Sequence, residues 1–193
     1  SMERVASHSR ALSVAIGAGT SEAESSVVSR RAPVLGLEAS DSAYGTPWDR
    51  MTLTLGRATG RLPEAQGLVA GVRSAFADAR GRHPAWAGRT GVAAYHWSGE
   101  TGAFIGADTR ARFLVELGFR PTEAVAALSG VNDFYAPLSP EDLSPLDADL
   151  LLWVSSYDTS PDLVALPMRR TLEACEEGRE VFAGGVLAAA LSF

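Results

Sequence analysis

The sequence predicts an α/β chain built as two parallel-sheet lobes joined by a single long helix, with the first lobe incomplete. Three observations carry that prediction: an uninterrupted helical pattern over Leu62–His83, a strand–helix–strand order ahead of it, and a fresh series of strands and helices behind it. The expected division is residues 1–61 as the remnant of an N-terminal α/β lobe, 62–83 as the joining helix, and 84–193 as a C-terminal α/β lobe.

The opening unit starts with the apolar run Ala11–Ile16 (ALSVAI), which ends at Gly17-Ala18-Gly19 and reads as a buried strand and turn. Thr20 or Ser21 then caps a helix to about Ser29, with Glu22 and Glu24 in a first turn where the helix dipole favours acid. Pro33–Leu37 (PVLGL) is a second short strand, completing the βαβ pattern of a parallel sheet. Thr46-Pro47-Trp48-Asp49 carries a cap-and-proline signature, with Asp49 as capping-box partner to Thr46. The helix that follows is expected to bury Met51, Leu55 and Ala58 and to stop at Gly60.

In the long helix, Leu68, Val69, Val72, Ala75, Phe76 and Ala79 recur at three- and four-residue spacing and predict one buried face. Pro63 suits a first turn, and Arg80 and Arg82 suit the negative end of the dipole. Gly67 and Gly71 each cost about 1 kcal/mol against Ala, so packing has to hold this helix.

Beyond His83-Pro84 the pattern predicts a strand Thr90–Tyr95, a turn over residues 98–102 and a return strand Ala103–Ile105. Asp108 then caps a helix that carries Phe113, Leu114 and Leu117 and closes at Gly118. Ser139-Pro140-Glu141-Asp142 predicts a further short helix, Asp149–Val154 (DLLLWV) a buried parallel strand, Met168–Glu177 a helix ended by Gly178, and Glu180–Phe182 a last strand. Trp153, inside that apolar strand, is expected in the core, and Asp147 and Asp149 at its start are expected to be solvated.

Composition narrows the function. A formal net charge of −6 without any basic run argues against nucleic acid or an anionic membrane surface as partner, although all 17 basic residues are Arg. Cys175 is alone, so an intrachain disulfide and a cysteine-based metal site are excluded. His8, His83 and His96 have no zinc spacing, so no metal site and no cofactor are expected. No run of eighteen apolar residues predicts a membrane span. The start Ser1-Met2-Glu3 lacks a signal-peptide core and is expected to be a scar left where an export signal was trimmed away. Glu22 stands where a dinucleotide fingerprint opened by Gly17-Ala18-Gly19 would need its third glycine, which rules that fingerprint out. No G-x-S-x-G elbow is present, and no catalytic residue is assigned.

The runs YGTPWDRMTLTLGRATGRLPEAQGLV, ARGRHP, AGRTGVAAY, DTRARFLVELGF, NDFYAPLSPEDLSPLDADLLLWV and ALSF, in this order and spacing, resemble the solute-binding proteins of ABC importers for iron–siderophore complexes, haem and cobalamin, with the ferric-siderophore branch nearest. The resemblance spans about Ala11 to Phe193. It implies two lobes bridged by one long helix, capture of a ferric siderophore or similar iron chelate in the cleft between them, little hinge motion, and delivery to an ABC permease. It implies a non-enzymatic, exported protein, periplasmic or held at the cell surface as a lipoprotein. Against the family pattern, opening elements of the first lobe and a closing helix after Phe193 are missing, and residues 168–178 are longer than the usual turn.

Ligands of open α/β sheets sit beyond the carboxyl ends of the strands, which points to Trp97, to Ser155 and Tyr157, and to Tyr44 and Trp48 at the lobe junction. A bulky iron chelate offers flat apolar faces and peripheral oxygens, which aromatic walls and an arginine suit. By resemblance Tyr135 and Phe104 fall near cleft aromatics, and Arg110 or Arg112 would face an anionic chelate, although Arg112 could instead pair with Glu116. The same aromatics would also serve as lobe-packing residues. The family docks on its permease through one acid per lobe; Glu141 matches the second-lobe position and Glu22 or Glu24 the first, and all three are equally the acids a helix start attracts. Alternatives that stay open are haem or cobalamin as ligand, a small α/β hydrolase with a Ser or Cys against His, and a truncated lobe acting as an interaction module that self-associates through an unpaired sheet edge.

Overall fold

The computed structural model describes residues 15–16, 34–35, 46–128, 134–154 and 161–184. The chain divides into two compact units, 1–69 and 70–193, and the division falls inside the long helix.

In the first unit, β1 (Ala15–Ile16) and β2 (Val34–Leu35) pair in parallel, in register Ala15 to Val34 and Ile16 to Leu35, as the βαβ pattern predicts. The predicted turn at Gly17-Ala18-Gly19 and helix over Thr20–Ser29 lie outside the described residues. Helix α1 covers Trp48–Ala58 and α2 covers Leu62–Arg82. Pro47 itself, with φ −55° and ψ 135°, occupies the N-cap of α1 in place of Thr46, and Asp49 accepts a bond from the Arg50 N–H. The apolar side of α1 is shallower than expected: Met51 and Leu55 are half-buried and Ala58 is exposed, while Gly56 is buried. A Cβ on Gly56 would collide with that of Ala65 and lie 3.2 Å from the Arg61 carbonyl oxygen, so glycine is what lets α1 and the start of α2 approach. Gly60, at φ +71°, ends α1 in a Schellman turn, with Arg61 N–H donating to Gly56 O (2.7 Å) and Gly60 N–H to Arg57 O (3.2 Å).

Helix α2 has 21 residues, a rod of about 30 Å at the usual rise. Its predicted apolar face is only partly used. Ala65 and Val69 are buried and Phe76 and Ala79 half-buried, whereas Leu68 is 66% and Val72 40% exposed and Ala75 is also exposed. Spacing gives a face its direction, but its buried width depends on the partner, and here Phe76 meets Phe113 edge-on at 5.7 Å along one narrow line.

The second unit is a five-stranded sheet of order β5-β4-β3-β6-β7: β3 (Gly91–Trp97), β4 (Glu100–Phe104), β5 (Tyr135–Pro137), β6 (Leu150–Val154) and β7 (Glu180–Ala183). β5, β3, β6 and β7 run in one direction and β4 alone runs against them, so the sheet is mostly parallel, with the return strand that the sequence predicts after β3 as its one reversed member. The expected turn over residues 98–102 shrinks to Ser98-Gly99. Both take positive φ (53° and 80°), the two-residue geometry that matches strand twist and lets the strands pair out to Trp97 and Glu100. β5 is not anticipated by the sequence; Pro137 is tolerated there because β5 is an edge strand.

Helix α3 (Thr109–Glu116) is capped by Asp108 and closed by Gly118 at φ +101°, both as expected. The short helices α4 (Glu123–Ala126) and α5 (Pro161–Ala165) are additions. The helix expected after Ser139-Pro140 is a turn followed by a 3-10 segment at Ser144–Leu146, because Ser139 Oγ takes the Glu141 N–H (3.3 Å) and Asp142 the Ser144 N–H (3.0 Å). The helix expected over Met168–Glu177 is broken into a 3-10 turn (Met168–Thr171) and α6 (Glu173–Glu176). The break lies at the extended, buried Leu172, and Asp147 caps the new helix by accepting the Glu173 and Ala174 N–H groups, each at 3.0 Å. Asp149 is likewise engaged: it accepts the Thr90 N–H (2.8 Å), the Thr90 hydroxyl (2.9 Å) and Arg89 (2.8 Å).

Alternation splits the sheet residues between two cores. Val92, Ala94, Leu151 and Trp153 face Val125, Leu143, Leu146 and Leu172; Ala93, Phe104, Leu152 and Val154 face Leu114 of α3 and Phe119. Trp153 is core, as expected, and its indole N–H donates to Glu180 (2.7 Å), which also receives a bidentate pair from Arg169 (2.9 and 2.7 Å).

Candidate functional site

The face of the sheet that carries α3 ends, at the β3–β4 hairpin, in a cluster of aromatic rings. Tyr95 on β3 lies directly across from Gly102 on β4. A Cβ at Gly102 would collide with the Ala136 carbonyl oxygen and come within 2.5 Å of the Tyr95 hydroxyl oxygen, so the bare backbone at Gly102 is the bed on which the Tyr95 ring lies. From there Tyr95 meets Phe104 at 5.2 Å between centroids and Tyr135 edge-on at 5.8 Å, with an interplanar angle of 87°. Phe104 and Tyr135 are themselves paired across β4 and β5. Trp97, two residues on from Tyr95 and so on the same side of the strand, stands 68% exposed at the hairpin tip.

Charge is arranged around these rings. Arg110, in the first turn of α3, holds its guanidinium 3.7 Å over the centre of the Phe104 ring. Asp108, only 1% exposed, fixes it there, accepting from the Arg110 N–H and Nε at Oδ1 (2.8 Å each) and from Nη2 at Oδ2 (2.6 Å). Arg110 is thus paired within its own cap rather than left free for an anionic ligand, as the sequence suggested it could be. Arg112, two residues further on, is half-buried, and among the described residues no pairing with Glu116 or contact with the rings is seen for it. The Tyr95 hydroxyl donates to Glu100 Oε1 (2.7 Å); burial first, and then the Glu100 carboxylate, push its pKa well above the ordinary phenol value.

Of the predicted ligand residues, Trp97, Phe104, Arg110 and Tyr135 come together here. Trp48 is half-buried at the start of α1 in the first unit, and Tyr44 and Tyr157 lie outside the described residues, as does Glu22. Glu141 is exposed in the turn before the 3-10 segment, where no helix start accounts for its charge. Tyr95, Glu100 and Asp108 are functional candidates that sequence reasoning passed over. The signal was present in part, since Tyr95 sits at two-residue spacing from Trp97, but its glycine partner is identifiable only once the hairpin register is known.

A second recess, of about 340 Å³, opens at the amino end of β3 between Gly91, Phe104, Leu114, Phe119 and Val125. Its walls are apolar apart from Arg120, which donates through Nε to the Gly88 carbonyl (2.9 Å). Arg120 is thus the one polar side chain it offers to fix a ligand's orientation. Elsewhere the Cys175 thiol is pushed up by burial and by Glu180, His83 stacks on Trp86 at 4.2 Å, and His96 pairs with the Thr101 hydroxyl at 2.8 Å. Among the described residues no group of three or more His, Cys, Asp and Glu is placed to hold a metal ion, and no helix is long and apolar enough to cross a membrane.

Comparison with known proteins bears on the fold. The chain resembles in fold a periplasmic solute binding protein from Mycobacterium smegmatis, with 24% identity and a TM-score of 0.75 over 98% of this chain and 64% of that one. It is similar to the iron uptake ABC transporter substrate-binding protein PiaA from Streptococcus pneumoniae, at 19% identity and TM-score 0.72 over 98% and 66% of the two chains. PiaA in complex with ferrichrome matches at 19% identity and TM-score 0.73 over 93% and 61%. The chain therefore spans a little under two thirds of the length of the first of these relatives. No curated protein matches it significantly. A family model described as periplasmic binding protein matches residues 14–182, and the chain belongs to the periplasmic binding protein family.

Proposed function

We propose that this chain is the solute-binding component of an ABC importer and takes a ferric-siderophore-type iron chelate. The observation that carries the proposal is the cluster of Tyr95, Phe104 and Tyr135, with Trp97 exposed beside it and Arg110 held over Phe104. Edge-on and tilted rings present both flat faces and polarised edges to a bulky chelate, while the guanidinium N–H groups not bound to Asp108 supply donors for its peripheral oxygens. An iron chelate brings its own metal ligands, so the protein needs none. The cluster sits on a fold shared with an iron-uptake substrate-binding protein, which supports the class of solute. Export, a lipid anchor and hand-over to a permease through Glu141 and an acid at or near Glu22 belong to the same proposal. Exposure of Glu141 in a turn, away from any helix start, favours a docking role over a dipole one.

Tryptophan fluorescence of the chain, titrated with ferric siderophores, haem, cobalamin and the metal-free chelators, tests this. Saturable quenching by ferric chelates at low micromolar concentration, much reduced in Trp97→Phe and Tyr135→Ala, is expected. Quenching by haem or cobalamin alone would change the ligand, and silence toward every compound would remove the solute-binding role.

A further inference from the structure

We infer that the aromatic cluster selects iron chelates by charge, favouring an electroneutral, hydroxamate-type complex over a polyanionic catecholate; the inference rests on the binding role proposed above. Among the described residues, the charges seen in contact with the rings or with one another beside them are Glu100, Asp108 and Arg110. Asp108 and Arg110 cancel, because the guanidinium gives Asp108 two side-chain hydrogen bonds, the Arg110 backbone N–H adds a third, and one face of the guanidinium lies on Phe104. Glu100 is exposed, and its contact here is the neutral Tyr95 hydroxyl, which burial and Glu100 itself keep protonated. Among the described charges in contact with the cluster, Glu100 is the one with no opposite charge against it.

Five of the other described arginines of this unit are engaged away from the rings. Arg80 binds the Glu116 carbonyl, Arg89 pairs with Asp149, Arg120 binds the Gly88 carbonyl, Arg169 pairs with Glu180, and Arg179 binds Glu177 and the Ala148 carbonyl. His96 points to the other side of β3 by alternation. A ferric ion bound by three hydroxamates carries no net charge, whereas one bound by three catecholates carries three negative charges. Such a trianion held about 8 Å from one exposed carboxylate loses roughly tenfold in affinity at low ionic strength, and less as salt screens it.

Calorimetric titration of the 193-residue chain with a ferric trihydroxamate and a ferric tricatecholate of similar size, at low and high salt, tests this, with Glu100→Gln alongside. The expected result is tighter binding of the trihydroxamate by tenfold or more at low salt, with the gap narrowing in high salt. In Glu100→Gln, the ratio of tricatecholate to trihydroxamate affinity is expected to rise severalfold at low salt, with the rise shrinking in high salt. A tricatecholate that binds as tightly or more tightly would overturn the charge rule and leave the binding role standing. No change in the ratio of the two affinities for Glu100→Gln would overturn the role of Glu100. Binding of neither chelate would overturn the charge rule together with the reading beneath it.

Discussion

Replacing Gly102 by Ala puts the geometry of the aromatic cluster to a direct test. In an ordinary strand the exchange is favourable by about 0.5–1 kcal/mol, because glycine loses more backbone freedom on folding. At Gly102 the added methyl meets two obstacles with different compliance. The Tyr95 hydroxyl, 2.5 Å away, can swing aside, but the Ala136 carbonyl is backbone of β5 and moves only if that edge strand moves. Overpacking of this kind costs about 1–3 kcal/mol, so the net expectation is a loss of about 1.5 kcal/mol. With a urea slope of about 2 kcal/mol/M, the unfolding midpoint falls by roughly 0.7 M. Displacement of β5 carries Tyr135 away from Tyr95, so the near-ultraviolet circular dichroism of the tyrosines should weaken in the folded variant. Both readouts come from one preparation. A midpoint equal to or above that of the parent, with the aromatic signal intact, would show that Gly102 is not the bed of the Tyr95 ring.

Other substitutions probe the scaffold with differing signs. Gly67→Ala, in the interior of α2 with nothing within 4 Å of an added Cβ, is expected to raise stability by about 0.5–1 kcal/mol, measured by thermal unfolding; a loss would mean that the helix needs glycine there. Arg169→Met removes the bidentate partner of Glu180, whose side chain is only 6% exposed, and is expected to cost about 3 kcal/mol in urea unfolding, with Arg169→Met/Glu180→Gln recovering most of it. If the single change cost under about 1 kcal/mol, the pair would not be buried in the sense that matters. Asp149 is lowered to about 2 by the Thr90 N–H first, then by the Thr90 hydroxyl and Arg89. Since its folded pKa lies below the ordinary value, its contribution is present in full above about pH 4, fades as pH falls toward 2, and is gone below that. Asp149→Asn should therefore be destabilised by about 1 kcal/mol at pH 7 and indistinguishable from the parent near pH 2, measured as urea midpoints along a pH series.

What the sequence made legible was whatever short-range chemistry decides. Gly60, Gly118 and Gly178 all stop helices where the pattern placed them, each at positive φ, and Asp108 caps α3 because its own side chain reaches the Arg110 N–H. The strands β3, β6 and β7 show in the same way, as apolar runs bounded by turn residues. Where the deciding partner is remote, the sequence fails. Met168–Glu177 has a helical pattern, yet it breaks at Leu172 because the cap for α6 comes from Asp147, on the loop ahead of β6. The apolar stripe on α2 was mistaken for a buried face because nothing local says how wide a neighbour will cover it.

The candidate site divides along the same line. Trp97, Phe104, Arg110 and Tyr135 could be nominated from residue type and position beside strand ends. Phe104 and Tyr135 gather around Tyr95, Arg110 lies over Phe104, and Trp97 stands exposed two residues along the strand. Their chemistry could not be assigned, because it is set by pairings formed only on folding. Arg110 looks like an anion receptor until Asp108 is seen to hold it, and Tyr95 looks like one more strand residue until Gly102 is seen beneath it. Both pairings act in one direction, removing a cation from the ligand's side and replacing it with rings and one phenol. A family member that offered an unpaired arginine at the position of Arg110 would face the opposite selection, so Asp108→Asn, which frees the guanidinium while keeping the cap acceptor, should shift this chain toward anionic chelates. That shift, measured against the same two ferric complexes, would separate the charge of the wall from its shape as the source of selectivity.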